Sequence, residues 1–318
     1  MNGEHRLLVV ALGGNAIQQP DGEDTVEADF ARTTATAEHL AGLVRSGWRL
    51  VVTHGNGPQV GNHLLRAELA HVHGDLPLLP LDVCVADTQG GMGYMIQQCL
   101  TNALHDAGLP AVVTTLVTQV LVDRDDPGFA APAKPVGEMI PDERAGAMEA
   151  QGWTLARDQR RGGWRRVVAS PDPREIVEAA AIAAMVADGV VVIACGGGGI
   201  PVVQDENGDV QGVAAVVDKD LASSLLARDL KADGLMILTD VDRVRLDFGT
   251  DEERSLDEMS VADALRWLDE GQFPAGSMGP KVRAVTAYVE ATDGLGVIAA
   301  IEDCEPAAAG SAGTRIVS

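Results

Sequence analysis

Three features of the sequence predict an α/β fold built on a mainly parallel sheet with helices on both faces. Short, almost continuous apolar runs alternate with longer helical patterns, the signature of strands buried on both sides. Glycine-rich segments come directly after several of those runs. Of the 318 residues 46% are apolar, enough material for one large core.

In chain order, residues 7–12, 50–53, 111–117, 190–195, 235–239 and 296–301 read as buried strands, being rich in Val, Ile and Leu and bounded by turn residues. Between them 25–46, 58–70, 81–105, 173–187, 218–230, 260–270 and 279–292 read as helices, and 314–317 as a last strand-like segment. Residues 123–170 break the rhythm, being rich in Pro, Gly, Trp and Arg, and are expected to leave the sheet as an excursion. Its arginines Arg157, Arg160, Arg161, Arg165 and Arg166 fit a solvated hairpin, a contact surface or an anion gate. In a sheet of this kind ligands bind at the carboxyl ends of the strands.

Charge excludes several classes of partner. With 47 acidic against 24 basic residues, the formal net charge of −23 repels a phosphate backbone or an anionic membrane. The longest apolar runs have strand length, far below the roughly 20 residues of a membrane-spanning helix. No signal peptide is expected, and Cys84, Cys99, Cys195 and Cys304 form no C-x-x-C pair, so a reduced, cytoplasmic protein is expected. The acidic excess fits either a high-salt cytoplasm or drift in a GC-rich genome, where arginine displaces lysine.

Only four of the basic residues are lysines, and three of those stand in tight Gly, Pro or Asp contexts. Lys219 lies between Asp218 and Asp220 at a helix start, where carboxylates can keep an ammonium charged and aim it; a plain surface charge cluster is the alternative. Lys281 comes after Gly279-Pro280 at another helix start, an unfavourable place for a cation unless an anion binds there. Lys134 lies in the excursion between Pro132 and Pro135.

The glycine segments are Gly13-Gly14-Asn15, Gly55-Asn56-Gly57-Pro58, 196–199, and Gly276-Ser277-Met278-Gly279. Each succeeds an expected strand or opens a helix, where main-chain N–H groups can face phosphate oxygens with no Cβ in the way. Amide nests, lysines and acidic residues together describe a phosphoryl-transfer site. Asp220 would orient the lysines, with Mg²⁺ brought in by a nucleotide. There is no Gly-Lys dipeptide, hence no Walker A loop, and no H-E-x-x-H, G-x-S-x-G or strict G-x-G-x-x-G. Gly55-x-Gly57-x-x-x-Gly61 with Asp75 only approaches the dinucleotide pattern, since no strand precedes Asp75. His71 and His73 have no nearby Cys, so a metal site there is not expected, whereas His54 stands at a strand end beside Gly55. Asp240 and Asp242 either face a nucleotide or cap the next element.

These stretches resemble the carbamate kinases of the amino-acid kinase superfamily. The similarity rests on Ala11-Leu12-Gly13-Gly14-Asn15-Ala16, on 52–61, 93–98, 118–137, 166–173 and 194–201, on Asp218-Lys219-Asp220-Leu221-Ala222-Ser223, and on 238–242 and 276–282. The resemblance implies a three-layer α/β/α sandwich with a small protruding subdomain at about 123–170, a carbamoyl-phosphate lobe over about 1–215 and a nucleotide lobe over about 216–318. It also implies a homodimer. The implied reaction is reversible, Mg²⁺-dependent phosphoryl transfer between ATP and carbamate, giving ADP and carbamoyl phosphate. Carried over, Gly13, Gly14, Asn15, Gly55, Asn56 and Gly57 would bind the carbamoyl phosphate side. Lys134, Lys219 and Lys281 would neutralise the transferring group, with Asp220 holding lysines in place. Thr239, Asp240, Val241 and Asp242, with Gly276, Met278 and Gly279, would flank the nucleotide. Ala11 and Leu12 stand where many other kinases of the superfamily carry an early lysine, which narrows the resemblance to carbamate kinases. Ala169 and residues 243–248 depart from the family's pattern. Another acid kinase of the superfamily and a catalytically silent nucleotide-binding regulator are the alternative readings.

Overall fold

The computed structural model of the protein describes residues 6–17, 25–158, 162–274 and 276–318. The elements run β1 (Arg6–Leu12), α1 (Val26–Arg45), β2 (Trp48–His54), α2 (Gly57–Gly74), α3 (Leu81–Asp106), β3 (Val113–Thr115) and β4 (Gln119–Val122). Next come α4 (Pro127–Ala130), β5 (Lys134–Ile140), α5 (Asp142–Ala150), β6 (Leu155–Arg157), β7 (Trp164–Val168), β8 (Pro173–Ile176) and α6 (Ala179–Ala187). They continue with β9 (Val191–Ile193), β10 (Ile200–Gln204), β11 (Val210–Gly212), α7 (Lys219–Asp229), β12 (Gly234–Thr239) and the hairpin β13 (Val244–Leu246) and β14 (Arg254–Leu256). The chain closes with β15 (Glu258–Ser260), α8 (Val261–Asp269), α9 (Met278–Thr292), β16 (Leu295–Ala300), α10 (Cys304–Ala308) and β17 (Thr314–Val317).

Eight strands form the main sheet in the order β15-β17-β16-β12-β1-β2-β9-β3. Every pairing in it is parallel except β16 with β17. All six sequence-predicted strands lie in this sheet, and 314–317 joins it as β17. The period of two sorts β1 between the two helical layers. Leu7, Val9 and Ala11 pack with Leu226 of α7 and Val282 and Val285 of α9. Leu8, Val10 and Leu12 pack with Leu40 of α1 and Ile96 and Leu100 of α3. The chain runs outward from β1 through β2, then returns to place β12 on the other side of β1. That reversal makes the carboxyl ends of β1, β2 and β12 a topological switch point.

The sequence-predicted helix over 173–187 is corrected. Its first residues form β8, which pairs antiparallel with β4 so that Ile176 faces Val120, and only Ala179–Ala187 is helical. A backbone bond from Gln119 to the Glu178 carboxylate at 2.7 Å fixes that junction. Strands β8, β4, β10 and β11 make a second, four-stranded sheet that local sequence patterns do not reveal. The excursion contains a third sheet, β5-β7-β6, with α5 across it. Its root is bonded to the segment before α7: Ala169 bridges Ala215, and Val216 N–H donates to the Ala169 carbonyl at 2.9 Å.

Helix ends obey local chemistry. Thr25 caps α1 by accepting from Ala28 N–H at 3.2 Å, with Glu27 and Asp29 in the first turn and Arg45 in the last. Ser260 caps α8 through Asp263 N–H. Asp218 caps α7, accepting from Asp220 N–H at 2.9 Å.

Candidate active site

At the switch point lies a cavity of about 620 Å³. One wall is the turn after β1. Gly13 N–H donates to the Leu238 carbonyl of β12 at 3.0 Å, and a Cβ on Gly13 would stand 3.0 Å from that same oxygen. Gly14 has open space on its Cβ side and lines the cavity. Of Asn15 only the backbone is described, in the single 3₁₀ turn Gly14–Ala16.

The second wall is the turn after β2. Gly55 N–H donates to the Leu12 carbonyl at 3.2 Å, and a Cβ on Gly55 would meet the Lys219 stem at 3.1 Å. Asn56 is buried and donates through Nδ2 to Thr88 Oγ1 at 2.9 Å, while Thr88 Oγ1 donates to the Val85 carbonyl at 2.7 Å. Its side chain is committed to α3, so α2 starts without a side-chain cap, and α9 likewise starts without one. The uncapped Gly57 amide of α2 therefore belongs to this site and favours an anion, whereas at α9 Gly279 N–H is taken by the Pro274 carbonyl at 3.0 Å and Pro280 has no N–H.

The lysines complete it. Lys219 Nζ donates to Asp220 Oδ1, Lys281 Nζ to Asp220 Oδ2 at 3.0 Å, and Lys134 Nζ to Asp218 Oδ2 at 2.5 Å. Three cations share two carboxylates, which leaves the cluster one positive charge in excess. Burial pulls the Lys219 ammonium down; Asp220 opposes this and Lys281 adds to it, leaving the group at about 8. Burial would also lower Lys281, but the Asp220 charge and hydrogen bond carry it above the ordinary lysine value. Asp220 is 5% exposed, and burial alone would raise its carboxyl. The two lysines instead hold it well below the usual carboxylate range. His54 is pulled down to about 4, chiefly by burial, and is a neutral group behind the Gly55 turn, its Nδ1 3.1 Å from the Gly55 carbonyl.

The structure brings Gly13, Gly14, Gly55, Asn56, Gly57, Lys134, Lys219, Asp220, Thr239, Asp240, Gly276 and Lys281 to one cavity. Val241, Asp242, Met278 and Gly279 do not line it. Asp242 instead accepts from Arg245 and Arg243 at the foot of the β13–β14 hairpin. Ser277, Pro280 and Lys281 present the cavity-facing side of α9, whereas Met278 packs against the core and Gly279 against the Pro274 carbonyl. The 196–199 glycines are buried, and a Cβ on Gly196, Gly197 or Gly198 would strike His54, Asn56 or Val217, so that run allows close packing while Gly197 also lines the cavity. Asp75 is a left-handed residue past the end of α2, away from the cavity.

Sequence reasoning missed Asn62, Glu138, Met139 and Arg165 as lining residues, and gave Asp218 a role only toward Lys219. Arg165 belonged to the excursion's arginine cluster. It donates to the Gly137 carbonyl at 2.8 Å, while Arg166 pairs with Glu68 of α2 and stacks on Trp153, and Arg157 is exposed. Arg160 and Arg161 lie outside the described residues. Among the described residues no three His, Cys, Asp or Glu side chains cluster as a metal cage.

The family model "Amino acid kinase family" matches residues 6–299. The chain is 47% identical to the carbamate kinase-like protein YahI of Escherichia coli over 98% of both chains. It is 44% identical to the carbamate kinase of Pyrococcus furiosus, over 98% of this chain and 99% of that one. The structure of Giardia lamblia carbamate kinase bound to AMP-PNP matches with a TM-score of 0.89 at 40% identity, over 99% of both chains. With a family model covering nearly the whole chain, and relatives this similar over their full length, the chain belongs to the amino acid kinase family.

Proposed function

We propose that the chain is a carbamate kinase, transferring a phosphoryl group reversibly between ATP and carbamate and forming ADP and carbamoyl phosphate. The observation that carries this reading is the cluster in which Asp220 holds Lys219 and Lys281 between the Gly13–Gly14 and Gly55–Gly57 turns. Full-length similarity to named carbamate kinases supports the choice of substrate.

In the ATP-forming direction a β-phosphate oxygen of ADP attacks phosphorus while the bond from phosphorus to the carbamoyl oxygen breaks on the opposite side. Catalysis of such a transfer is mostly positioning and neutralisation of charge on the transferring oxygens. Lys219 and Lys281 supply that neutralisation, and Asp220 aims both. The amides of Gly14 and Gly57 face the carbamoyl phosphate side, held in place by turns in which Gly13 and Gly55 bond the neighbouring strands, with Lys134 reaching in from the excursion. Thr239, Asp240, Gly276 and Ser277 flank the nucleotide. In reverse, carbamate attacks as an oxyanion, so no general base is required. Among the described residues no His or Cys lines the cavity, and Asp218 and Asp220 are held by lysines, which favours direct transfer without a phosphoenzyme.

Mg²⁺ arriving with the nucleotide would neutralise its phosphate oxygens. The donor set fits a metal held mainly by substrate phosphates and one or two carboxylates. Asp240 lines the cavity, carries no ion pair among the described residues and would be the carboxylate facing the metal.

Within this reading, 1–215 carries the carbamoyl phosphate side and 216–318 the nucleotide side, and residues of about 123–170 close over the substrate. A homodimer is implied by the resemblance. A cytoplasmic location accords with four buried free cysteines, and among the described residues no helix is long and apolar enough to cross a membrane. The test is ATP formation from ADP, Mg²⁺ and carbamoyl phosphate at low and molar KCl. ATP production that depends on Lys281 supports the proposal. Absence of ATP from folded protein at both salt levels overturns it.

A further inference from the structure

Asp218 touches two parts of the molecule that are far apart in the chain. Through Oδ1 it accepts from the N–H groups of Asp220 at 2.9 Å and Leu221 at 3.4 Å, capping α7. Through Oδ2 it accepts from Lys134 Nζ at 2.5 Å, across 84 residues of sequence. Lys134 opens β5, the first strand of the excursion's sheet, and faces Val168 across β7. One residue beyond Val168, Ala169 is bridged to Ala215, and Val216 bonds the Ala169 carbonyl. The ion pair therefore sits at the root of the excursion, where its strands are bonded to the segment that becomes α7.

We infer that Asp218 is a positioning residue: its carboxylate holds the Lys134 ammonium in the cavity and ties the excursion to the lysine-bearing helix. The inference rests on the proposed reading, in which Lys134 serves the carbamoyl phosphate side. The side chains of Asp218 and Lys134 are 14% and 28% exposed, so the pair is shielded enough to hold a geometry that a surface ion pair would lose to water. The motif Asp218-Lys219-Asp220 divides the work. Asp220 hydrogen-bonds the two lysines of 219 and 281, and Asp218 hydrogen-bonds the third, which arrives on a different element, while its charge also favours the protonated form of the other two. Without Asp218 the Lys134 stem has four rotatable bonds and, among the described residues, no second carboxylate paired with it. Lys134 would then have to be ordered by the substrate itself, at a cost in affinity.

The two functions of the side chain can be separated by substitution. Asparagine and serine both cap helices about as well as aspartate, but neither offers a carboxylate to Lys134. Asp218→Asn should raise the KM for carbamoyl phosphate about tenfold while leaving the KM for ADP and the thermal midpoint near those of the unchanged protein. In a Lys134→Ala background the same substitution should have no further effect on carbamoyl phosphate, because its target is gone. Asp218→Ser replaces it should the amide prevent folding. Equal effects of Asp218→Asn with and without Lys134 overturn the inference, since Asp218 then acts through the helix. So does a normal KM in Asp218→Asn when Lys134→Ala alone is impaired. If Lys134→Ala behaves as the unchanged protein, the role given to Lys134 falls and this inference with it, an outcome the cycle separates from the others.

Discussion

Replacing Asp220 by asparagine removes the one negative charge that two buried ammonium groups share. At the 3.0 Å separating Lys281 Nζ from Asp220 Oδ2, a unit charge pair is worth roughly 5 kcal/mol at an effective dielectric of about 20, or roughly 4 pK units. Lys219 already stands at about 8 because burial lowers it. Deprived of Asp220, it drops far enough to be neutral at pH 7, and the upward pull on Lys281 is lost as well. The expected result is a loss of about 10² to 10³ in kcat. The assay is ATP formation from ADP and carbamoyl phosphate between pH 6 and 9. For the unchanged protein kcat/KM, which reports the free enzyme, falls as pH rises through about 8 while Lys219 loses its proton. Stability carries the same signature. A lysine with its folded value below its unfolded one stabilises the fold as pH rises from the lower value to the higher, so the window of rising stability opens at lower pH in Asp220→Asn. Activity within tenfold of the unchanged protein, with the same alkaline limb, would refute the assignment of Asp220 as the group that keeps these lysines charged.

Three further outcomes are expected. Lys281→Ala should lower turnover about 10²-fold, and, because Lys281 repels the Lys219 proton, should move the alkaline limb of kcat/KM upward; a downward shift would contradict the charge coupling. Gly61→Ala puts a Cβ 2.1 Å from the backbone of Gly137, where α2 meets β5, so the excursion must lift, raising the KM for carbamoyl phosphate in a folded protein and not that for ADP. If the net charge of −23 is an adaptation to salt, thermal midpoint and activity should both rise toward molar KCl as screening relieves self-repulsion, and a flat or falling response counts against it.

The main sheet was legible because its strands are buried on both faces and so read as unbroken apolar runs at 7–12, 50–53, 190–195 and 235–239. The second sheet was hidden for the opposite reason. Pro173–Ile176 contains Arg and Glu beside an alanine-rich helix, and only the non-local pairing of Ile176 with Val120 makes it a strand. In the site, the lysines stood out because lysine is rare here and each sits in an unusual local context. Asn62, Glu138 and Met139 reach the cavity through the docking of β5 on α2, a contact between Gly61 and Gly137 that no short-range pattern announces. On α9 two of the residues expected to flank a nucleotide, Met278 and Gly279, lie off the cavity face. Positions three and four apart lie together on a helix, so Ser277, Pro280 and Lys281 share the cavity side that Met278 and Gly279 do not.

Charge in this protein works on two scales with opposite signs. The whole chain at −23 repels the phosphates that the proposed reaction handles. The lysine cluster counts three lysines against Asp218 and Asp220, one positive charge in excess, which Arg165 with Glu138 and Asp240 brings to neutrality over the whole lining, and the uncapped first turn of α2 adds partial positive charge there. The far field is screened within about 10 Å at 0.1 M salt, whereas charges inside a partly closed cavity are screened much less. Salt should therefore ease the approach of an anionic substrate more than it weakens its capture. The two carboxylates are essential to that balance, because burial alone pulls Lys219 and Lys281 toward the neutral form and the charges of Asp220 and Asp218 oppose it.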